Sequence, residues 1–290
     1  ALLLVSFIPS LIKRGFALPS FLILLFFASL PLKVSRAIGL LPIVAIPVFA
    51  RNISYAPPIG FKKVLISGLT ILILFKCIHF RDIGLGLKEE MFPVNASDFI
   101  LRERIEGNMF NPFDTGGYLG WRLYSRHKPF IDGRMASSLL REESMVFDTI
   151  GNWKEVLDRY KVDFIVTNST YLNDGGLFNV IGKLFADNDW ILIYQDHNCL
   201  IFTRNGTNSH LVEKYRLPKS HIWDEVVSEA KNHILSDPKK ERTWETLGYA
   251  YSMQGRWKDA AAAEKKGLRY QPENKRLHDN IAVFRSMGYY

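Results

Sequence analysis

The sequence predicts a fold in three parts: a membrane α-helical segment, then a soluble α/β domain, then an all-α helical repeat. Long apolar runs fill the first 80 residues and stop at Arg81. Short apolar stretches alternate with amphipathic ones in the middle of the chain, which favours a sheet covered by helices. A 34-residue period marks the last part and is typical of stacked helical repeats. We therefore place the domains at 1–81, 82–205 and 206–290.

Three apolar runs make the first part a candidate membrane domain: 16–33, 37–50 and 61–80. A hydrocarbon core about 30 Å thick needs about 20 apolar helical residues, so the second run is marginal. Lys and Arg are more frequent on one side of these runs than on the other, and the positive-inside rule puts the region after residue 81 outside the cytoplasm. We expect an integral membrane protein in contact with lipid, with its soluble part in the periplasm or lumen.

Charge and cysteine usage exclude several classes of protein. The net charge is +8 and the pI about 9.3, yet Lys and Arg form no dense block and no stripe interleaved with aromatics. Nucleic acid is therefore not an expected partner. The two cysteines, Cys77 and Cys199, and the seven histidines show no metal-ligand spacing. We predict no metal site and no cofactor.

The middle part predicts one α/β domain. Three apolar stretches of strand length, at 162–167, 190–195 and 199–203, are expected to share a sheet, the last two as a hairpin. Helical patterns cover 96–106, 116–124, 152–161 and 176–187. The expected core of the sheet comprises Phe164, Ile165, Ile191, Ile193, Leu200 and Phe202.

The last part repeats at a spacing of 34 residues, which separates Trp223 from Trp257 and Pro238 from Pro272. One unit carries large and small residues at regular positions: Trp244, Leu247, Gly248, Tyr251, Ala260 and Pro272. This pattern resembles the tetratricopeptide repeat, whose members are interaction scaffolds built from helix pairs. The resemblance implies four helices, near 221–236, 241–254, 257–270 and 275–286.

The repeat contains one complete unit and two partial ones, so it needs a surface to cover its apolar face. The α/β domain and a second protein are the two candidates, and we favour a second protein for part of the face. Trp223, Trp257 and Tyr270 are large enough to anchor such a contact. Trp223 and Trp257 fit internal packing equally well.

Residues 108–134 are the stretch most suggestive of a binding site. The candidate residues are Asp114, Gly116, Gly117, Tyr118, Asp132 and Arg134. In one interpretation the carboxylates orient hydroxyls or a cation, Arg134 binds a phosphate, and the aromatics stack on a sugar. In the other, Asp114 caps a helix and Asp132 forms a local ion pair with Arg134.

The order of motifs adds a resemblance to a known class. Apolar spans precede NPFDTGGYL at 111–119, FIDGR at 130–134 and YKVDFIV at 160–166. This arrangement resembles the C-terminal part of multi-pass GT-C glycosyltransferases, which use polyisoprenyl-phosphate sugars. The resemblance implies a polar site after the last span. That class also carries an essential acidic residue in its first extracytoplasmic loop, whereas the acidic residues of 1–90 all follow the last predicted span.

Two functions follow from these patterns. The first is an accessory or scaffold subunit of a larger membrane protein complex, which contacts other subunits through its helical repeats. The second is the C-terminal segment of an active glycosyltransferase, with a lipid-linked sugar as substrate. Because the chain starts without Met in an apolar run, we expect a piece of a longer protein rather than a trimmed N-terminus. If the chain derives from an active glycosyltransferase, the resemblance implies that the catalytic acidic loop lies outside this sequence.

Overall fold

The structure is a computed structural model that describes residues 18–33, 39–54, 67–68, 71, 91–134 and 137–289. The chain divides into two compact units, Ala1–Gly86 and Leu87–Tyr290. The finer boundary at residue 205 stays a prediction.

The first unit contains two helices in its described part, α1 (Leu18–Lys33) and α2 (Leu40–Ser54). They pack on each other through Leu24 and Ala45, with neighbours on both helices. Among the described residues, no helix combines the length and the apolar character that a membrane crossing requires. At about 1.5 Å per residue, 16 and 15 residues extend only about 24 and 22 Å.

This finding contradicts the predicted membrane segment, and with it the predicted integral membrane location and extracytoplasmic placement. The prediction was wrong because composition reports how apolar a run is and not how long its helix becomes. The third predicted span, 61–80, lies outside the described residues apart from Ser67, Gly68 and Ile71. The predicted fold class is therefore replaced by a mainly helical chain with a small mixed sheet.

The sheet in the second unit has four strands in the order β1-β2-β4-β3. The strands are β1 (Asn108–Phe110), β2 (Val162–Thr167), β3 (Trp190–Gln195) and β4 (Leu200–Arg204). β1 runs parallel to β2, and the other neighbours are antiparallel. The prediction that the three longer strands share one sheet is confirmed. β1 was not predicted from the sequence, because three residues are too few for a strand pattern to be recognised.

Alternation along the strands divides the core between two faces. Phe164, Ile191 and Ile193 belong to one buried cluster, whereas Ile165, Leu200 and Phe202 belong to the other. All six predicted core residues are buried. The helices of this half are α3 (Val94–Glu103), α4 (Phe113–Arg122), α5 (Ser137–Phe147), α6 (Trp153–Arg159), α7 (Asn179–Ala186) and α8 (Ser209–Tyr215).

Four helices follow a short 3₁₀ turn, Lys219–His221, and form the helical array. They are α9 (Ile222–Ser236), α10 (Thr243–Met253), α11 (Trp257–Gly267) and α12 (Lys275–Ser286), close to the predicted bounds. Gly255 turns the chain between α10 and α11 with φ at +73°. Successive helices pack as neighbours in order.

The sheet and the array share one hydrophobic core, which joins Ile165 and Phe202 of the sheet to Trp223 and Trp244 of the array. The aromatic ring of Phe185 on α7 lies 5.4 Å from that of Trp223 on α9. The α/β half therefore covers one face of the array, which is the first of the two candidate surfaces named from the sequence.

Candidate functional site

In the predicted polar site around 108–134, the side chain of Asn111 binds the backbone of a later segment of the chain. Its Nδ2 donates to the carbonyl of Ile131 at 3.0 Å, and its Oδ1 accepts from the Phe130 amide at 2.8 Å. The following helix makes room for this segment at Gly116, where a Cβ would fall 1.8 Å from the Ile131 oxygen. Gly116 is therefore required for close approach, and Asn111 is the residue of this motif that the sequence analysis missed.

The charged candidates of this stretch divide into the pair Asp132 and Arg134, and Asp114, which forms no hydrogen bond or ion pair with either of them in the described structure. Arg134 binds Asp132 through two nitrogens, with Nη2 2.5 Å from Oδ2 and Nε 3.1 Å from Oδ1. Its side chain is 88% exposed. Asp114 lies on α4 with no hydrogen bond to Arg134, and its surroundings desolvate the carboxyl and raise its pKa. The local ion-pair interpretation is the one that the geometry favours for Asp132 and Arg134.

The remaining members of the predicted site have separate roles. Tyr118 is buried, with its ring 5.2 Å from that of Phe92. Gly117 has open space at its Cβ position. Asp114 does not cap α4, since the helix begins at Phe113 and the residue at its N-cap is Pro112.

The predicted repeat residues mostly serve as internal packing. Trp223, Trp244, Leu247, Tyr251 and Ala260 are buried. Trp244 donates from Nε1 to the Pro238 carbonyl at 2.9 Å, and Tyr270 stacks on its ring at 5.7 Å.

The other repeat residues contact their neighbours in different ways. Trp257 is partly buried, stacked 6.1 Å from Tyr289. The Pro272 carbonyl lies 2.7 Å from Nε2 of His278. Gly248 leaves space for a glutamate of the next helix, since its Cβ would approach Oε1 of Glu264 to 2.3 Å.

A buried polar seam, which was not predicted from the sequence, joins the array to the loop after β2. Oε2 of Glu229 accepts from the Ser169 amide at 3.1 Å, the Ser169 hydroxyl at 2.9 Å and the Thr170 hydroxyl at 2.7 Å. The Thr170 hydroxyl also lies 2.9 Å from Nε2 of His233, whose Nδ1 lies 2.9 Å from Nζ of Lys240. Because the Lys240 ammonium can only donate, His233 is neutral and carries its proton on Nε2.

Burial controls the protonation of this seam. It raises the pKa of Glu229 to about 7, despite the stabilising hydrogen bonds from Thr170 and Ser169. Glu225, one turn earlier on α9, is fully buried with no hydrogen-bond partner for either oxygen. Burial, and then the charge of Glu229, hold the pKa of Glu225 well above its usual range. Burial also lowers the pKa of His233 to about 4.

A small cavity beside Glu229 has a volume of about 30 Å³ and is lined by Thr115, Asn168, Asn198 and Cys199 among others. Oδ1 of Asn168 is buried there without a hydrogen-bond partner. The volume suits about one water molecule, so the cavity is too small for a substrate. A signal for the seam was available: Glu225, Glu229 and His233 are spaced by four residues along one helix face.

A larger groove lies where the array meets α7, with a volume of about 380 Å³. Its walls come from α7, α10 and α12, and Glu264 of α11 also contributes. Tyr249 and Val283 expose apolar surface in it. Nε of Arg242 and Oε2 of Glu264 are buried polar atoms of its lining residues without a hydrogen-bond partner. This groove is large enough for a ligand of several residues.

Comparison with known proteins returns no match from protein-family models, from curated proteins or from solved structures. The resemblances to GT-C glycosyltransferases and to tetratricopeptide repeats therefore stay predictions.

Proposed function

We propose that this chain is a scaffold subunit of a protein complex, which binds a polypeptide segment of another protein in the groove between α7, α10 and α12. The observation that carries this proposal is the groove itself, a concave surface with exposed apolar side chains and buried polar atoms that lack partners. Such a combination is typical of peptide-binding surfaces, where apolar anchors give affinity and a few polar groups fix orientation.

Rigidity of the walls supports the proposal. Arg242, at the start of α10, donates its backbone amide to the Asp174 carbonyl at 2.9 Å, and Thr246 donates its hydroxyl to the Gly175 carbonyl at 2.9 Å. These bonds tie α10 to the loop that leads into α7. A groove with tied walls is pre-organised, which lowers the entropic cost of binding.

A photocrosslinking experiment tests the proposed function. We expect benzoylphenylalanine in place of Tyr249, inside the groove, to crosslink to another protein in cells that produce the chain. The same probe at Tyr124, which is 85% exposed and lies outside the groove, is the matched control. We expect Val283→Glu to suppress the crosslink at position 249 because it places a charge on the apolar wall. Equal crosslinking at both positions, or none at 249, contradicts the proposal.

Sugar transfer from a polyisoprenyl-phosphate donor, the alternative function, has no observation in the described structure that favours it. Arg134, the residue expected to bind a phosphate, is already paired in bidentate fashion with Asp132. The alternative stays a prediction from resemblance.

A further inference from the structure

A second groove, which we call the outer groove, lies between α9, α10 and α11 and has a volume of about 420 Å³. It shares none of its lining residues with the groove between α7, α10 and α12. Tyr249 lines that first groove, and Tyr251 lines the outer groove. Each residue of an α-helix is rotated by about 100° from the one before it, so these two side chains leave α10 on nearly opposite faces. A ligand in the outer groove therefore needs none of the side chains of the first groove.

The floor of the outer groove is apolar. Trp244, Leu247 and Tyr251 of α10 line it and are buried, as is Ala263 of α11. Leu235, near the end of α9, lines the same groove and is 84% exposed. Covering an exposed leucine removes apolar surface from water, which favours a ligand that brings apolar side chains of its own.

Two lysines, one on each of the flanking helices, place positive charge in the outer groove. Nζ of Lys231 on α9 lies 5.9 Å from the ring centroid of Tyr251, and Nζ of Lys266 on α11 lies 5.7 Å from that of Trp244. Both rings line the groove, so both ammonium groups lie close to its floor. Both lysines are exposed, and within the described residues neither has a carboxylate partner. Their charges are therefore accessible to a ligand.

The acidic side chain of the lining does not cancel these charges. It belongs to Asp259 of α11. Oδ2 of Asp259 lies 2.7 Å from Nη2 of Arg256 and 2.8 Å from its Nε. Arg256 itself is not part of the lining, and its guanidinium balances the carboxylate from outside the groove. The outer groove is left with two ammonium groups above an apolar floor.

We propose that the outer groove binds a polypeptide segment of another protein that carries apolar side chains flanked by acidic ones. The apolar side chains cover Leu235 and Leu247, and the carboxylates pair with Lys231 and Lys266. Burial of the apolar side chains gives affinity, and the two ammonium groups select against a basic segment. The chain then has one partner site on each face of α10, and the outer site does not depend on the first groove.

A random peptide library displayed on phage tests the partner. The library is selected on the full chain and counter-selected on the full chain with Ala262→Trp. Ala262 lines the outer groove and is exposed, so the indole fills the groove without a change of charge or a buried clash. We expect the peptides that bind the wild type alone to combine apolar residues with Asp and Glu. Neutral or basic peptides, no peptide specific to the wild type, or peptides that match this chain's own sequence each overturn the inference.

The affinity of one selected peptide for the full chain, measured by fluorescence anisotropy, tests the two lysines. We expect Lys231→Gln with Lys266→Gln to weaken binding by about five- to tenfold, the size that two exposed ion pairs give. Lys183→Gln with Lys275→Gln is the matched control, because both lysines are exposed, lie outside both grooves and change the net charge equally. No loss in the first double variant, or an equal loss in the control, overturns the inference.

Discussion

Glycines in this chain have different roles, which depend on the atoms that surround each one. Gly267, at the end of α11, lies against Trp244, and a Cβ there would approach Cβ of Trp244 to 2.6 Å and Cδ1 of Leu277 to 3.0 Å. Gly117, within α4, faces open space. Neither has a positive φ, so backbone strain does not distinguish them. Packing alone decides what a methyl group does at each position.

Replacement of these two glycines by alanine should therefore have opposite effects. Gly267→Ala forces Trp244 and Leu277 apart in a buried part of the array, and we expect a loss of about 1 to 3 kcal/mol in the free energy of unfolding. Gly117→Ala removes backbone freedom from the unfolded chain without a clash, and we expect a gain of about 0.5 to 1 kcal/mol. Urea denaturation of both variants measures this difference. Equal effects at the two positions would refute the packing argument.

Helix α9 is the element that holds the two halves of the second unit together. Its apolar face carries Trp223 and Val226 into the common core, and its polar residues Glu229 and His233 bond to the loop after β2. The array therefore completes its core with the α/β half. The expectation that an incomplete repeat must bury its face elsewhere is met, by this chain's own sheet and helices. Whether a partner covers the remaining surface is the subject of the proposed function.

The isolated array, residues 207–290, should consequently be unstable. We expect no cooperative thermal transition of a monomer in far-ultraviolet circular dichroism, because Trp223 would face water and Glu229 would lose its hydrogen bonds to Ser169 and Thr170. The fragment 87–290 keeps the α/β half and should unfold cooperatively, which makes it the matched control. A monomeric 207–290 that melts cooperatively well above 37 °C would show that the array needs neither the sheet nor a partner.

At the scale of the whole second unit, several buried ionisable groups are distributed over the seam and the groove. Glu229 and Glu264 have pKa values raised to about 7 and about 8, and His233 has one lowered to about 4. A raised carboxyl pKa means that the folded chain holds the proton more tightly than the unfolded chain. Stability is then lost as the pH rises from about 4.5 toward the folded value. His233 acts oppositely, and its cost appears as the pH falls below about 6.5.

These signs predict that stability falls between pH 6.5 and 8, because the titration of the two glutamates outweighs the small opposite effect of His233, which is neutral in the folded state and loses its remaining charge in the unfolded state over this range. We expect the free energy of unfolding of 87–290 to decrease by on the order of 2 kcal/mol over this range. Glu264→Gln and Glu229→Gln together should remove most of the decrease. Glu103→Gln is the control, because a hydrogen bond from Arg102 lowers the pKa of Glu103 to about 2. A wild-type stability that is flat or rises over this range would contradict the assigned pKa shifts.

The sequence by itself determined most of the local elements of the second unit. Short apolar runs of strand length identify β2, β3 and β4, and the 34-residue spacing of Trp223 and Trp257 locates the helices of the array. These predictions held because a short apolar run suits a strand that is buried on both faces, and because the spacing of apolar residues along a helix reflects its local backbone geometry. Hydropathy was misleading in the first unit, since apolar composition does not determine the length of a helix.

Tertiary structure decided the sites. Ser169 and Glu229 are 60 residues apart in the chain and meet in the seam, and Arg242, Glu264 and Asn280 come together only when α10, α11 and α12 pack. Asp114 and Arg134, only 20 residues apart, share no hydrogen bond. Proximity along the chain is a weak guide to such contacts, because the packing of helices and strands brings distant side chains together. The burial that follows packing then sets their charge.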